Sequence, residues 1–300
     1  MASEAEANAN ALGSEPEVRE RRGLKKGLYL LPSAFTAANI GMGYFAVMAA
    51  LRGFQLLGDG PEAEGVRAAA VHFDNASRAI GWAILFDTLD GRIARLTKTT
   101  TEIGIQLDSI ADVVTFGIAP AVLVYAWGYG GAFPEGSQLH KLGWFVSFMF
   151  LICGALRLAR FNVQAMRPRT LAEGNAKVDK KNFLGLPIPA AAGLLAAIVH
   201  FAPSPLSTHG AYGAQLYGSI LMGLVAVLAA LMVSTIRYSS FKTLGAGKRS
   251  TVKVMPLVAA VGMLVWLFSR YVLLAFVLTY VLHGIVFRIA SLFHSRPAEE

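Results

Sequence analysis

The chain has 300 residues, of which 55% are hydrophobic and 15% are charged, and its net charge is +8. A mean hydropathy of +0.51, together with repeated long apolar runs, excludes an ordinary soluble domain. The basic residues are spread over the segments between those runs, which favours anionic lipid headgroups and phosphate groups over nucleic acid as partners. The composition therefore predicts an integral membrane protein that does not bind nucleic acid.

The N-terminal 27 residues differ from the rest of the chain. They are polar, poor in aromatic residues, and change from acidic to basic along their length. This pattern matches neither a signal peptide nor a packed domain. Residues 1–27 are therefore predicted to form a disordered tail.

Hydropathy predicts about eight transmembrane helices and an all-α fold. Lys and Arg concentrate before the first span and in the connections after the second, fourth and sixth spans, whereas the opposite connections are acidic or uncharged. The positive-inside rule then places both termini in the cytoplasm. The predicted spans are residues 28–52, 68–96, 99–127, 142–165, 184–202, 214–236, 253–269 and 271–288.

Four aspartates lie in the second and third predicted spans. Asp87 and Asp90 are three positions apart, so they share one face of a helix. Asp108 and Asp112 are four apart and share a face in the same way. The pattern Thr-x-x-Glu that begins at Thr99 is typical of a helix start and places the turn between the two spans there. Because Asp87 and Asp108 are equally far from that turn, an antiparallel hairpin brings the two pairs face to face near the cytoplasmic interface.

Four carboxylates that converge where water is scarce would repel one another unless cations held them. Oxygen ligands at this charge density suit Mg²⁺ or Mn²⁺, and two such ions would balance four negative charges. The neighbouring Gly91, Ala94 and Gly104 are small enough to let a ligand approach the helix backbones. Arg95 is placed to bind a phosphate through its forked guanidinium group. The residues predict a dinuclear metal site that binds phosphate groups.

Two alternatives follow from the same residues. The acids could be hydrogen-bond partners between helices, which explains a lone aspartate better than four in register with Gly and Arg. They could also belong to a divalent-cation transporter, because acids inside a membrane often mark ion pathways. However, all four belong to one hairpin, and the fifth to eighth predicted spans contain no acid. The sequence therefore favours an enzyme over a transporter.

The aspartate region resembles the signature of the CDP-alcohol phosphotransferase family, D-x2-D-G-x2-A-R-x8-G-x3-D-x3-D, at every specified position. The resemblance implies a homodimer, a six-helix core and a dinuclear metal site open to the cytoplasm. It also implies a multi-pass protein of the cell membrane that releases CMP from a CDP-linked substrate. On this basis residues 28–245 form the core, residues 246–288 an added transmembrane hairpin, and residues 289–300 a cytoplasmic tail.

The family motif also implies a role for each matching residue. The four aspartates would be metal ligands, and Asp112 would in addition be the general base that takes a proton from the attacking hydroxyl. Small and polar residues on the first three spans would contact CDP-diacylglycerol. These residues are Thr36, Asn39, Gly91, Ala94, Arg95, Thr101 and Gly104.

Further segments resemble the phosphatidylserine synthase branch of the family. LPSAFTAANIGMG, at residues 31–43, matches the N-terminal motif of that branch at Thr36, Asn39 and Gly43, with Ser33 where Asn is usual. GALRLARFNV, FLGLPIPAAA and VSTIRYSSFK extend the likeness to residue 242. The resemblance implies CDP-diacylglycerol and L-serine as substrates. A sibling reaction with glycerol 3-phosphate or an inositol phosphate as acceptor stays open, because the aspartates are common to the family.

The carboxylate of serine requires a cationic partner. Arg157 and Arg160 are three positions apart on one face of the fourth predicted span, at a depth where an unpaired cation is unfavourable. At least one of them is expected to bind that carboxylate, with Asn162 assisting. Ion pairing with the aspartates or with lipid phosphate is the alternative. The six histidines have no metal-ligand spacing, and no role is predicted for them.

Overall fold

The computed structural model describes residues 15–58, 63–97, 102–166, 182–239 and 251–293. Within these ranges the chain is almost entirely helical, which confirms the predicted fold class. The α-helices are α1 (Glu15–Gly58), α2 (Ala63–Thr97), α3 (Glu102–Asp112), α4 (Ala119–Val124), α5 (Gln138–Met166), α6 (Ile188–Phe201), α7 (Gly210–Val233) and α8 (Thr251–Phe293).

Five helical segments of the described chain are long and apolar enough to cross a membrane. The helix α6 is a shorter apolar segment, and α2 has the necessary length, with 35 residues, but is interrupted by charged side chains. The protein is therefore a multi-pass membrane protein. The five segments are Ser33–Gly58, Ile103–Tyr129, Gln138–Val163, Leu206–Val233 and Ala259–Gly284.

Helix α6 lies at the centre of the bundle. It packs against α2 on one side and α8 on another, and most of its side chains are buried. Leu194 and Leu195 are almost completely inaccessible to solvent. A helix that is apolar on every face is stable only when other helices or lipid surround it. The position of α6 follows from this requirement, and it fixes the spacing of α2 and α8 around it.

The third span changes its helical type directly after the last aspartate. A π-helix, Val113–Ile118, follows α3, and a second one, Tyr125–Tyr129, follows α4. In the first π-helix, Thr115 Oγ1 donates a hydrogen bond to the backbone carbonyl of Asn39 at 3.1 Å. Wide helical turns of this kind recur at functional sites because they redirect side chains within a helix. Here the change begins at the residue after Asp112.

Helix α1 approaches this π-helix closely at Gly43. A Cβ atom at this position would lie 2.5 Å from Thr115 Oγ1 and 2.9 Å from the Cα of Thr115. Only glycine allows the two backbones to approach so closely without displacement. The contact holds the α1 residues of the candidate site against the third span.

Two short strands pair the segment before α6 with the segment after α7. Strand β1 (Asn182–Leu184) precedes α6 and pairs antiparallel with β2 (Arg237–Ser239), which follows α7. Gly185 follows β1 with φ +81°, and a Cβ there would collide with the backbone oxygen of Met232. This pairing was not predicted, because three-residue strands carry too little periodic signal.

The first helix begins before the first predicted span. Helix α1 begins at Glu15, and residues 1–14 lie outside the described chain. The segment EPEVRERR combines an early Pro with acidic residues, both of which favour a helix start. The assignment of residues 1–27 as a tail separate from the core stays a prediction.

The two C-terminal predicted spans form two helical parts of α8 that meet at a kink. Phe268 has non-helical dihedral angles, φ −130° and ψ 37°, and lies where the two spans were predicted to meet. Helix α8 ends at Phe293, inside the predicted C-terminal tail, and residues 294–300 lie outside the described chain. The division into a core and an added hairpin stays a prediction.

Candidate active site

Helices α2 and α3 bring three of the four aspartates together. Asp87 on α2 and the pair Asp108 and Asp112 on α3 each place a carboxylate oxygen within 4.8 Å of the others. All three side chains are half-buried. The arrangement follows from helical periodicity, because the two acids of α3 are one turn apart and face α2. The predicted meeting of the two spans is confirmed for these three residues.

The donor set of this cluster fits a divalent cation. Oδ1 of Asp112 is buried and has no hydrogen-bond partner among the described residues. Three carboxylates at this separation repel one another, and a buried oxygen without a donor is unfavourable. A hard cation that prefers oxygen ligands would relieve both effects. The cluster is therefore able to hold a metal such as Mg²⁺ or Mn²⁺.

Asp90 occupies a different environment. Its side chain is 6% exposed and accepts a hydrogen bond from the hydroxyl of Thr36 on α1. It is not among the three acids whose oxygens converge, although its charge acts on Asp87 and Asp108. The expectation that Asp90 is a metal ligand stays a prediction. The structure assigns it one definite contact, which connects α1 to α2.

Helix α1 forms one side of the site through Thr36 and Asn39. These residues are 5% and 1% exposed, and their spacing of three places them on one face of the helix. The backbone carbonyl of Asn39 accepts the hydrogen bond from Thr115, whereas its side-chain Oδ1 has no partner among the described residues. A buried amide oxygen without a donor suggests a position where a bound ligand provides the missing hydrogen bond.

The remaining predicted contacts to CDP-diacylglycerol lie around the loop between α2 and α3. Gly91 is exposed and Gly104 is half-buried, so both helix backbones are accessible near the aspartates. Ala94 and Arg95 belong to the last turns of α2, and only their backbone is described. Thr101 lies outside the described residues. The predicted roles of Gly91, Ala94, Arg95 and Gly104 are therefore supported only by their positions on the helices, and the role of Thr101 stays a prediction.

The structure separates the three residues predicted to bind serine. Arg157 on α5 is half-buried, and its charge interacts with Asp112 and with Tyr280 on α8. Its Nε is buried without a hydrogen-bond partner in the described part of the chain. Arg160, one turn later, is exposed. Asn162 Nδ2 donates a hydrogen bond to Ser109 Oγ at 2.8 Å, which links α5 to α3.

Tyr280 is a neighbour of the site that the sequence did not identify. It lies on α8, is half-buried, and packs against the apolar core beside Val281. No motif contains it, because only the packing of α8 on α6 brings this part of the chain near α5. Its aromatic character resembles that of any lipid-facing residue in a membrane helix.

The pattern of the CDP-alcohol phosphatidyltransferase family matches residues 29–233. The chain belongs to the CDP-alcohol phosphatidyltransferase family. It is therefore a transferase that acts in phospholipid biosynthesis, and the resemblance drawn from the aspartate motif is confirmed. Membership of this family also favours the enzyme over the cation transporter.

Curated relatives share the name CDP-diacylglycerol–serine O-phosphatidyltransferase. The protein from Helicobacter pylori strain J99 is 32% identical over 265 residues, which cover 86% of this chain and 91% of the relative. The protein from Methanocaldococcus jannaschii is 36% identical over 167 residues, or 56% of this chain and 65% of the relative. The protein from Mycobacterium tuberculosis strain H37Rv is 34% identical over 190 residues, or 61% of this chain and 54% of the relative.

Proposed function

We propose that the protein transfers the phosphatidyl group of CDP-diacylglycerol to the hydroxyl of L-serine and releases CMP. The observation that carries this proposal is the similarity to a named CDP-diacylglycerol–serine O-phosphatidyltransferase along 86% of this chain and 91% of that relative. The convergence of three carboxylates supports it, because the pyrophosphate of the substrate needs its charge neutralised before CMP can leave.

Asp87, Asp108 and Asp112 would hold two divalent cations, Mg²⁺ or Mn²⁺, together with Asp90. Bound there, the cations would neutralise charge on the pyrophosphate and on the departing CMP. The hydrogen bond from Thr36 fixes one oxygen of the Asp90 carboxylate to α1. The four aspartates would therefore have unequal roles, with three at the centre and one held by α1.

Asp112 would act as the general base. It would take the proton from the serine hydroxyl as the hydroxyl oxygen forms a bond to the phosphorus atom and the bond from phosphorus to CMP breaks. A positioned base typically contributes about 10²–10⁴ in rate. The buried Oδ1 of Asp112, which has no hydrogen-bond partner among the described residues, is suited to accept a proton.

Residues of α1, α2 and the start of α3 would bind the CDP-diacylglycerol. The unpartnered Oδ1 of Asn39 and the accessible backbone at Gly91 support a ligand position between α1 and α2. Arg95 would pair with a phosphate through two nitrogens. Thr36, Ala94, Thr101 and Gly104 would complete the binding surface.

Arg157 is the strongest candidate for binding the serine carboxylate. Arg157 is half-buried, and its charge interacts with Asp112. A bound serine would therefore place its carboxylate near Arg157 and its hydroxyl near the proposed base, Asp112. Arg160 is exposed and Asn162 is engaged with Ser109, which makes them secondary candidates. A guanidinium group provides paired donors that match the geometry of a carboxylate.

The proposed orientation places the aspartate end of the bundle and both termini in the cytoplasm of the cell. The basic connections between the predicted spans support this orientation. Cytoplasmic access would let the soluble substrate, L-serine, reach the aspartates without crossing the membrane. A homodimer in the cell membrane is expected from the family resemblance.

The test is the release of CMP by the purified full-length protein in detergent with CDP-diacylglycerol and Mg²⁺ or Mn²⁺. L-serine, glycerol 3-phosphate, myo-inositol and an inositol phosphate are compared as acceptors, and only L-serine is expected to support release. CMP release with another acceptor would be consistent with the family but would overturn the assignment of L-serine as the acceptor. No release with any acceptor, from folded protein that still binds metal, would contradict the proposed reaction.

A further inference from the structure

A second polar cluster lies at the other end of α2. Asp74 on α2, His200 in the last turn of α6 and Ser269 on α8 form a continuous chain of hydrogen bonds. Asp74 Oδ1 is 2.5 Å from His200 Nδ1, and His200 Nε2 is 2.9 Å from Ser269 Oγ. Asp74 precedes Asp87 by thirteen residues, which is about 20 Å along a helix axis. The cluster is therefore separate from the candidate active site.

The carboxylate determines the direction of these hydrogen bonds. An ionised Asp74 can only accept, so His200 Nδ1–H donates to it. In a neutral imidazole Nε2 is then unprotonated, and it accepts the hydrogen bond from the hydroxyl of Ser269. Arg78 pairs with the second oxygen of Asp74 at 2.9 Å, which adds positive charge beside the carboxylate. The imidazole thus presents its basic nitrogen to the serine oxygen.

Burial differs along the cluster in the way a reactive serine requires. Asp74 and His200 are 9% and 5% exposed, whereas Ser269 is half-buried. Ser269 follows the interruption of α8 at Phe268 and precedes the exposed Arg270. A buried acid and base beside a less buried serine is the arrangement that activates serine nucleophiles on unrelated folds.

The surroundings of Ser269 indicate the class of substrate. Trp266, Phe268 and Tyr271 are 84%, 53% and 66% exposed, so exposed aromatic side chains lie near Ser269 together with the exposed Arg270. His200 lies one residue before the end of α6. Aromatic residues at helix ends are typical of the boundary between lipid headgroups and acyl chains. The carboxylic ester groups of membrane lipids lie at this depth.

We propose that Ser269, activated by His200 and Asp74, is a nucleophile toward carboxylic esters of membrane lipids. The Ser269 Oγ forms a bond to the ester carbonyl carbon and passes its proton to His200 Nε2. The carbon–oxygen bond to the alcohol breaks, and the alcohol leaves with that proton. Water then attacks the acyl-serine, which releases the carboxylic acid and restores Ser269. The sum is hydrolysis of one ester by one water molecule, independent of the aspartate site.

The test uses a fluorophosphonate probe on the purified full-length protein in detergent. The Oγ of Ser269 would form a bond to phosphorus as fluoride leaves, and peptide mass spectrometry would locate the label. We expect labelling at Ser269, its loss in Ser269→Ala, and a labelling rate about 10²-fold lower or less in His200→Gln. Ser147→Ala is the matched control, because Ser147 bonds to Tyr129 at 2.6 Å without an imidazole, and its labelling should equal that of the unmodified protein.

Hydrolysis of a medium-chain p-nitrophenyl ester provides a second measurement with the same variants. CMP release by Ser269→Ala serves as the folding control, since Ser269 lies at the end of the bundle away from the aspartates. Equal labelling of the unmodified protein and Ser269→Ala, or labelling of folded His200→Gln at the unmodified rate, would overturn the proposal. The cluster would then be an interhelical hydrogen-bond network alone. Neither result depends on which acceptor the aspartate site uses.

Discussion

The two ends of α2 carry aspartates in opposite chemical situations. At one end, Asp87 meets Asp108 and Asp112, and a buried oxygen of Asp112 has no partner among the described residues. At the other end, both oxygens of Asp74 are engaged, one by His200 and one by Arg78. Asp87, near one end of α2, therefore belongs to a cluster with an unpartnered oxygen, whereas Asp74, near the other end, belongs to a completed network. Hydrogen-bond completeness, more than residue type, separates a candidate cation site from an ion-paired network.

The sharpest test of this contrast compares Asp112→Asn with Asp74→Asn. The first change removes the proposed base, which is also a proposed metal ligand, so serine-dependent CMP release should fall by about 10²–10⁴. The second leaves the aspartates intact but removes the charge partner of His200 and Arg78. It should therefore lower the unfolding temperature while release remains. Equal loss of release in both variants, with both proteins folded, would contradict the separation of the two ends.

The next effect concerns substrate affinity at the aspartate end. Arg157→Lys replaces paired donors with a point charge, so the KM for L-serine should rise by about 10-fold or more, as expected for a lost charged hydrogen bond. The KM for CDP-diacylglycerol should change little. Arg160→Lys is the matched control, because Arg160 is exposed and one turn away. A similar rise in both variants would remove Arg157 from its proposed position beside serine.

Metal binding should stabilise only the end that lacks partners. A cation at one hundred times its dissociation constant raises the free energy of unfolding by about 2.7 kcal/mol. Mn²⁺ should therefore raise the melting temperature of the detergent-solubilised protein, and a chelator should reverse the rise. The rise should be smaller in Asp87→Asn and unchanged in Asp74→Asn. A full rise in Asp87→Asn would show that the cation binds elsewhere.

The smallest effect tests the packing behind the aspartates. Gly43→Ala would place a methyl group 2.5 Å from Thr115 Oγ1, so stability should fall by about 1–3 kcal/mol. A Cβ atom at Gly41, on the same helix, would meet nothing within 4 Å, so Gly41→Ala should leave stability equal or slightly higher. Thermal unfolding of both variants gives the comparison. Equal stability of the two variants would mean that α1 can move away from the π-helix without a loss of stability.

Local patterns predicted much of the fold and of the candidate site. The all-helical membrane class follows from hydropathy, and α2 ends at Thr97, close to the predicted turn at Thr99. The grouping of Asp87 with Asp108 and Asp112 follows from helical spacing and a short connection. These features depend on residues near one another in the chain, where the period of a helix fixes the relative positions of side chains.

The features that were missed depend on residues far apart in the chain. Thr36 and Asp90 are in contact because α1 packs along α2, and that pairing gives Asp90 a different environment from its neighbour Asp87. His200 had no sequence signal, since its two partners lie on other helices.

The sequence by itself determined that the chain crosses a membrane as helices, that four acids lie on two adjacent helices, and that they match one enzyme family. Periodicity and hydropathy are local properties, so they can be read without the fold. Only the tertiary structure decided which acids converge, which one bonds to α1, and which aspartate bonds to a histidine of another helix. Those outcomes depend on packing between helices that are distant in the chain. The same packing determines how closely two helices approach and which side chains become hydrogen-bond partners.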